Sequence, residues 1–182
     1  MVDYISRGEF LSFSASMNVQ DREILREQVE NRSPNGATFL SHSSKDKEIV
    51  MGATRILTLH GASVYTDKKD PDLPPYTSKE TAAKLKNRIN QSKKFVLLAS
   101  ENSKESKWVP WELGIADGYK NRNQIALFPA VDDPQKTAWT SWEYLGLYDR
   151  IVWGKLNGYE KEVWMVWDEV RNVATELSSW LK

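Results

Sequence analysis

Five short apolar runs, separated by longer helical segments, constrain the fold of this chain more than any other feature of its sequence. The runs occupy residues 37–43, 63–67, 94–100, 124–131 and 150–153. Because they are apolar throughout rather than at alternate positions, they are typical of strands buried on both faces. The amphipathic segments that follow them predict helices covering a parallel sheet. The pattern therefore predicts an α/β, flavodoxin-like fold, a five-stranded parallel sheet with helices on both faces.

The first 36 residues differ from this pattern. A charged segment, NVQDREILREQVE, predicts a helix, and the Ser-Pro-Asn-Gly that follows it after two residues is a strong turn signal. A chain of 182 residues is long enough for one well-buried core and short for two. We therefore divide it into an N-terminal helical extension, residues 1–36, and a main domain, residues 37–182. Since no strand is predicted in the extension, we expect deletion of residues 1–33 to leave the main domain's binding site intact.

The C-terminal part is rich in large apolar side chains. Residues 159–181 predict a last helix, because its apolar positions follow helical spacing: Val163, Trp167, Val170, Ala174, Leu177 and Leu181. We expect this stripe to pack on the core. Trp139, Trp142 and Tyr144 lie instead in a connection before the fifth strand, where aromatic side chains indicate either a contact surface or ordinary packing.

Charge and cysteine content exclude several kinds of partner and chemistry. Lys+Arg 25 and Asp+Glu 25 give a formal net charge of +0, so no overall field attracts nucleic acid or an anionic membrane. The absence of cysteine and the presence of only two histidines argue against disulfides, thiolate catalysis and a metal centre. We expect no metal and no cofactor. With no apolar leader and no run of about 18 apolar residues, a cytoplasmic protein is expected.

Polar residues end the first predicted strand and follow it, at the edge where parallel α/β sheets bind ligands. They are Ser41, His42, Ser43 and Ser44, with Asp46 close behind. Hydroxyl groups and free helix N–H groups at this point suit a phosphate or a ribose. The same residues also suit ordinary helix capping by Ser43 or Ser44. The second strand ends at Asp67, and Lys68 opens the loop KKDPDLPPY. No glycine-rich dinucleotide or P-loop motif follows any strand.

One carboxylate stands out among large aromatic side chains in the segment SKWVPWELG. Glu112 follows Trp108 by four residues, so a helix brings both side chains to one face. Pro110 suits the first turn of a helix, and we place Glu112 in that turn as well. Two interpretations remain open at this point: a catalytic carboxylate near the strand ends, or an acidic residue that only favours the helix dipole.

Four segments, in this order, resemble the Toll/interleukin-1 receptor (TIR) domain, particularly its bacterial members. They are TFLSHSSKDKE, GASVYTD, INQSKKFVLLASENS and SKWVPWELG. The resemblance covers roughly residues 37 to 155 and implies the same flavodoxin-like fold. Many TIR domains cleave NAD+ at the nicotinamide–ribose bond, using a glutamate four residues after a tryptophan. The resemblance therefore implies that Glu112 is catalytic and that NAD+ is a substrate rather than a cofactor.

The resemblance also implies which residues surround that substrate. By position they are Ser41, His42, Ser43, Ser44, Asp67, Lys68 and Trp108. Some TIR enzymes carry an arginine or tyrosine after the first strand, where this chain has His42, Ser43 and Ser44.

A single carboxylate suits this reaction, because nicotinamide leaves a positively charged pyridinium as a neutral molecule and needs no general acid. Ordinary glycosidases need two carboxyl groups. Attack by water gives ADP-ribose, whereas attack by an adenine nitrogen or a ribose hydroxyl of the same molecule gives a cyclic product. The sequence leaves both products open.

Three functional hypotheses differ in what Glu112 does. The first is an NAD+ nucleosidase or ADP-ribosyl cyclase that self-associates through TIR–TIR contacts, the loop after Asp67 being the usual contact element. Its nucleotide product would signal to a separate effector, as in bacterial antiphage systems such as Thoeris. The second is a non-catalytic TIR adaptor. The third, a flavodoxin-like phosphoacceptor domain, lacks the required acidic cluster, since only Asp67 and Asp70 are near.

Overall fold

A computed structural model describes residues 2–67, 78–132 and 145–182 of the chain. Its strands are β1 Val2–Asp3, β2 Ile5–Ser6, β3 Thr38–Ser41, β4 Val64–Tyr65, β5 Lys94–Ala99, β6 Ile125–Val131, β7 Asp149–Gly154, β8 Val163–Asp168 and β9 Val173–Glu176. Its helices are α1 Arg7–Ala15, α2 Val19–Glu30, α3 Lys47–Leu59, α4 Lys79–Gln91, α5 Glu101–Glu105, α6 Trp108–Tyr119 and α7 Leu177–Leu181. Together they form an α/β fold around one central sheet.

The five predicted strands are confirmed as the parallel centre of the sheet. Their order is β4-β3-β5-β6-β7, and each pair of neighbours in this part is parallel. Successive residues of β5 face opposite sides: Val96 and Leu98 pack with α3, whereas Phe95 and Leu97 pack with α4 and α6. Burial on both faces explains why the strand sequence is apolar throughout.

The strand order creates a crevice between β3 and β5. The chain leaves β3 for α3 on one face of the sheet and leaves β5 for α5 and α6, with α6 on the other face. At such a switch point the two connections diverge and leave room for a ligand beyond the carboxyl ends of the strands. The candidate site residues lie at this edge.

The prediction of a last helix over residues 159–181 is wrong. The segment forms β8 and β9, which extend the sheet as antiparallel strands, and only α7 is helical. Trp164 and Val166 pack on one face of the sheet while Met165 and Trp167 pack on the other, so the strand has no polar face. Val170 lies in the turn and is 79% exposed. The helical spacing was therefore coincidental, and tertiary packing decided the conformation.

The sheet also contains strands from the N-terminal segment, contrary to the expectation that this segment has no place in it. β1 pairs with the end of β7 and β2 with the end of β6, beyond the point where β6 and β7 pair with each other. Phe10 of α1 is 0% exposed and contacts Phe128 of β6 edge-to-face, with ring centroids 4.9 Å apart. The predicted charged helix is confirmed as α2, with Asn18 as its N-cap.

Gly52 allows α1 and α3 to approach closely. A Cβ atom at this position would lie 2.0 Å from the carbonyl oxygen of Phe10. Only glycine fits between the two backbones without displacement. The N-terminal segment is thus packed into the main core. Across the described ranges, no helix has the length and hydropathy needed to cross a bilayer.

Candidate active site

Glu112 is buried in α6. It is the fifth residue of the helix, which begins at Trp108, and it is 1% exposed. The prediction that it lies in the first turn is therefore wrong. Pro110 does lie in that turn, and the backbone N–H groups of Trp108 and Val109 are 3.3 Å from Ser106 Oγ. The helix dipole is thus not what explains an acidic residue at position 112.

The carboxylate of Glu112 is held by the end of a strand. Ser41, the last residue of β3, donates a hydrogen bond of 2.5 Å from its Oγ to Glu112 Oε2. Ser41 is 0% exposed, so water does not compete for this bond. The contact joins residues 71 positions apart in the chain and fixes Glu112 at the carboxyl edge of the sheet, where ligands bind in this architecture.

Trp108 forms an aromatic wall one turn before Glu112. It is half-buried, and its ring meets that of Trp111 edge-to-face, with centroids 5.1 Å apart. Lys86 Nζ lies 5.9 Å from the Trp111 ring on the same side of the sheet. An aromatic face near a carboxylate can hold a flat, cationic ring such as a pyridinium.

The other residues that follow β3 have different environments. Ser43 is an N-cap whose Oγ accepts a hydrogen bond from the Lys45 N–H, so the capping interpretation is confirmed for this residue. His42 is 4% exposed, and its Nδ1 lies 3.2 Å from the Leu40 carbonyl oxygen. Ser44 is exposed. His42 and Ser44 border a cleft on the α3 side of the sheet, whereas Ser41 faces α6.

Asp46 joins the loops that follow β3 and β5. It is 0% exposed, and its carboxylate accepts hydrogen bonds from Ser100 Oγ at 2.5 Å and Asn102 Nδ2 at 2.7 Å. It makes no capping bond to α3. No local signal in the sequence indicates these two partners, which lie 54 and 56 residues further along the chain.

Arg7 supplies the positive charge opposite Asp46. Its guanidinium donates to Asp46 Oδ1 at 3.0 Å and to Glu48 Oε1 at 2.5 Å, and it lies 3.8 Å from Asp132. Burial by itself lowers the pKa of Arg7, but the hydrogen bonds to Asp46 and Glu48 outweigh burial and raise it. A residue of the N-terminal segment therefore neutralises a buried carboxylate beside the candidate site.

Asp67 is the candidate residue at the end of the second predicted strand. Asp67 follows β4 and is 9% exposed. Lys68 and the remainder of the loop KKDPDLPPY lie outside the described residues, as do Trp139, Trp142 and Tyr144. Within the described ranges, no group of three or more His, Asp or Glu side chains is arranged to hold a metal ion. The chemistry available at this edge is thus that of buried carboxylates, hydroxyl groups and an aromatic wall.

Comparison with known proteins agrees with this geometry. Residues 38–164 match the family model described as "TIR domain". The chain is 35% identical over 159 residues to "Probable 3' cyclic ADP-D-ribose synthase ThsB'" of Bacillus cereus (strain MSX-D12), covering 85% of this chain and 81% of that protein. It is 31% identical over 113 residues to "Putative cyclic ADP-D-ribose synthase TIR2" of Cytobacillus dafuensis, covering 59% of this chain and 30% of that protein. The chain belongs to the TIR domain family.

Proposed function

We propose that this chain is an enzyme that cleaves the nicotinamide–ribose bond of NAD+ and cyclises the ADP-ribose part. The observation that carries the proposal is the buried carboxylate of Glu112, held by Ser41 at the ligand-binding edge of a TIR sheet. The names of two relatives as cyclic ADP-D-ribose synthases support the reaction and the cyclic product. NAD+ is the substrate, and the mechanism requires no cofactor.

Glu112 stabilises the positive charge that develops on the ribose. The nicotinamide–ribose bond breaks with its electron pair moving to the pyridinium nitrogen, so nicotinamide leaves as a neutral molecule. The ribosyl carbon and ring oxygen then share a positive charge. A carboxylate fixed in a site with little water opposes this charge more strongly than one in solution. Glu112, at 1% exposure and anchored by Ser41, meets that requirement.

The nucleophile decides the product. A hydroxyl or adenine nitrogen of the same molecule forms a bond to the ribosyl carbon and gives a cyclic ADP-ribose, and a hydroxyl releases its proton to Glu112 or to solvent. Water in the same position gives linear ADP-ribose and a proton. A site that excludes water therefore favours the cyclic product. Trp108 holds the nicotinamide ring and limits access of water from its side.

We further propose where the enzyme acts and what its product does. The enzyme acts in the cytoplasm, and its nucleotide product is a signal for a separate effector, as in a Thoeris-type defence system. Activity requires self-association through TIR–TIR contacts, which complete the site. Ser43, Asp67 and Lys68 border the substrate in this arrangement, together with His42 and Ser44.

Turnover of NAD+ by Glu112→Gln tests the catalytic role. The substitution keeps the shape of the side chain and an oxygen that can accept from Ser41, but it removes the charge. We expect turnover to fall roughly 10²-fold to 10⁴-fold, the usual range for a positioned electrostatic or acid–base group. Purified protein is incubated with NAD+, and products are separated by mass to distinguish linear from cyclic ADP-ribose.

Glu101→Gln is the matched control, because Glu101 is an exposed acidic residue in the first turn of α5. It should turn over NAD+ like the wild type. Thermal melting of both variants separates a catalytic defect from unfolding. Wild-type turnover in Glu112→Gln would remove the catalytic role and favour a non-catalytic TIR module.

A further inference from the structure

A cleft with a volume of about 550 Å³ lies between α2 and α3. Its size is within the range of small-molecule sites. It begins at the carboxyl ends of β3 and β4, where His42, Ser44 and Thr66 contribute to its lining, and continues between the two helices. Helix α2 precedes residues 38–164, the part of the chain that matches the TIR model. This wall of the cleft is therefore an addition to the matched domain.

The two helices present facing stripes to the cleft. Val29 of α2 lies opposite a stripe of α3 that contains Lys47, Val50 and Met51, at helical spacing. The apolar members of these stripes form walls that suit a flat, largely apolar group. Lys47, at the start of α3, lies toward the strand ends, whereas Arg26 lies further along the cleft. A ligand that fits this arrangement places an aromatic base between the apolar walls and an anionic group toward the strand ends.

The charged groups of the cleft indicate an anionic ligand. Lys47 is exposed at the first residue of α3, where the helix dipole also favours anions, and it makes no ion pair with any described residue. Arg26 pairs with Glu23 at 3.1 Å, with both side chains about half exposed. Such surface pairs are weak, and an anion can displace them. Glu30 also borders the cleft, so its lining carries two cationic side chains and one anionic side chain.

We propose that this cleft binds the ADP moiety of an adenine nucleotide, with the base between Val29, Val50 and Met51, the diphosphate at Lys47, and Arg26 beside the base. The inference rests on the proposed function, in which NAD+ is the substrate. Ser41 and His42 are consecutive, but Ser41 faces Glu112 and His42 faces the cleft. A dinucleotide that crosses the end of β3 therefore reaches Glu112 with its nicotinamide end and the cleft with its ADP end.

Binding of ADP-ribose tests the site without any turnover. Titration calorimetry compares full-length Glu112→Gln with the same protein carrying Arg26→Gln and Lys47→Gln. We expect the added substitutions to weaken ADP-ribose binding at least about 10-fold, since Lys47→Gln removes a charge-assisted contact to the diphosphate and Arg26→Gln removes a cation beside the base. Arg32→Gln in the Glu112→Gln background is the control, because Arg32 lies beyond the end of α2 and is not part of the cleft lining. Equal affinity in all three proteins, or no binding to any, overturns the proposal.

Kinetics with Glu112 intact identify the source of the ADP moiety. If it belongs to the substrate, Arg26→Gln and Lys47→Gln raise KM for NAD+ with little change in kcat, and ADP-ribose competes with NAD+. Cleavage of nicotinamide mononucleotide, which lacks the AMP part, is then affected much less. If a separate nucleotide occupies the cleft, ADP-ribose alters kcat without competing with NAD+. Failure of Glu112→Gln to reduce turnover would contradict the proposed function alone, because calorimetry reads the cleft independently.

Discussion

Ser41 and Glu112 meet at the carboxyl edge of the sheet through a buried hydrogen bond of 2.5 Å. One residue ends a strand and the other belongs to the second turn of a helix, and neither is more than 1% exposed. The bond fixes the position of the carboxylate before a substrate arrives. Such preorganisation reduces the reorganisation needed when charge develops in the transition state.

Ser41→Ala should therefore reduce catalysis while leaving the charge of Glu112 in place. A hydrogen bond to a charged group contributes about 1.5–3 kcal/mol, which corresponds to a fall in kcat of roughly 10-fold or more. Steady-state kinetics with NAD+ measure kcat and KM separately. Ser92→Ala is the control, because Ser92 is a buried serine at the opposite edge of the sheet that donates to the Arg88 carbonyl oxygen. An unchanged kcat in Ser41→Ala would exclude the positioning role.

Removing Arg7 should destabilise the protein through Asp46. Arg7→Met leaves the buried Asp46 carboxylate without its cation, which we expect to cost about 3 kcal/mol of the free energy of unfolding. Adding Asp46→Asn removes the uncompensated charge, so the double variant should be more stable than Arg7→Met alone. Denaturant unfolding compares the wild type, the two single variants and the double variant. Arg26→Met removes only an exposed pair, at 3.1 Å from Glu23, and should change stability little. A double variant less stable than both single variants would contradict this account.

Two glycines in helices should respond oppositely to alanine. Gly52→Ala brings a Cβ atom to 2.0 Å from the Phe10 carbonyl oxygen, so we expect a loss of about 1–3 kcal/mol or more from overpacking. A Cβ atom added at Gly114 of α6 would meet no neighbouring atom within 4 Å. Gly114→Ala should therefore raise the free energy of unfolding by about 0.5–1 kcal/mol. Thermal melting compares both variants with the wild type. Equal melting temperatures for the two variants would show that α1 does not pack on α3 as described.

The pKa of Tyr148 should make stability depend on pH in the alkaline range. Burial, together with the charge of Asp117 and a hydrogen bond to it, raises the pKa of Tyr148 from 10.0 to about 12. Because the folded state holds the proton more tightly, the contribution to stability is complete below pH 10.0 and is lost as the pH rises through about 12. Unfolding curves for wild type and Tyr148→Phe, measured from about pH 9 to 12, should converge as the pH rises. Curves that stay parallel would show that Tyr148 titrates normally.

Self-association predicts that activity per molecule rises with protein concentration. If TIR–TIR contacts complete the active site, dilute protein should be weakly active and should recover activity as oligomers form. Turnover over a wide concentration range, measured beside light scattering, tests this. Strict proportionality between rate and concentration, with no oligomer under any active condition, would contradict the prediction.

The central strands and most of the helices that connect them could be predicted because their signals are local. Continuous apolar runs such as KFVLLA have one stable location, a strand buried on both faces, and β5 occupies it. The prediction for the C-terminal segment failed because VWMVW is buried on both faces as well, and the spacing of its apolar residues also matched a helix. A short apolar run carries no periodicity that separates the two conformations, and pairing with β7 decided it.

By itself, the sequence determined the parallel α/β core, the edge of the sheet that carries the candidate site, and the position of Glu112 four residues after Trp108. Only the tertiary structure decided the partners of that edge: Ser41 on Glu112, Arg7 on Asp46, and α2 as one wall of the cleft beside His42. Ser41 and Glu112 are 71 positions apart. Residues that far apart leave no pattern within a window of sequence, because their contact depends on how the strands are ordered and on which face each connection crosses. The side-chain periodicities of strands and helices relate residues only a few positions apart in the chain. The chemistry of this site depends instead on groups that the sheet brings together.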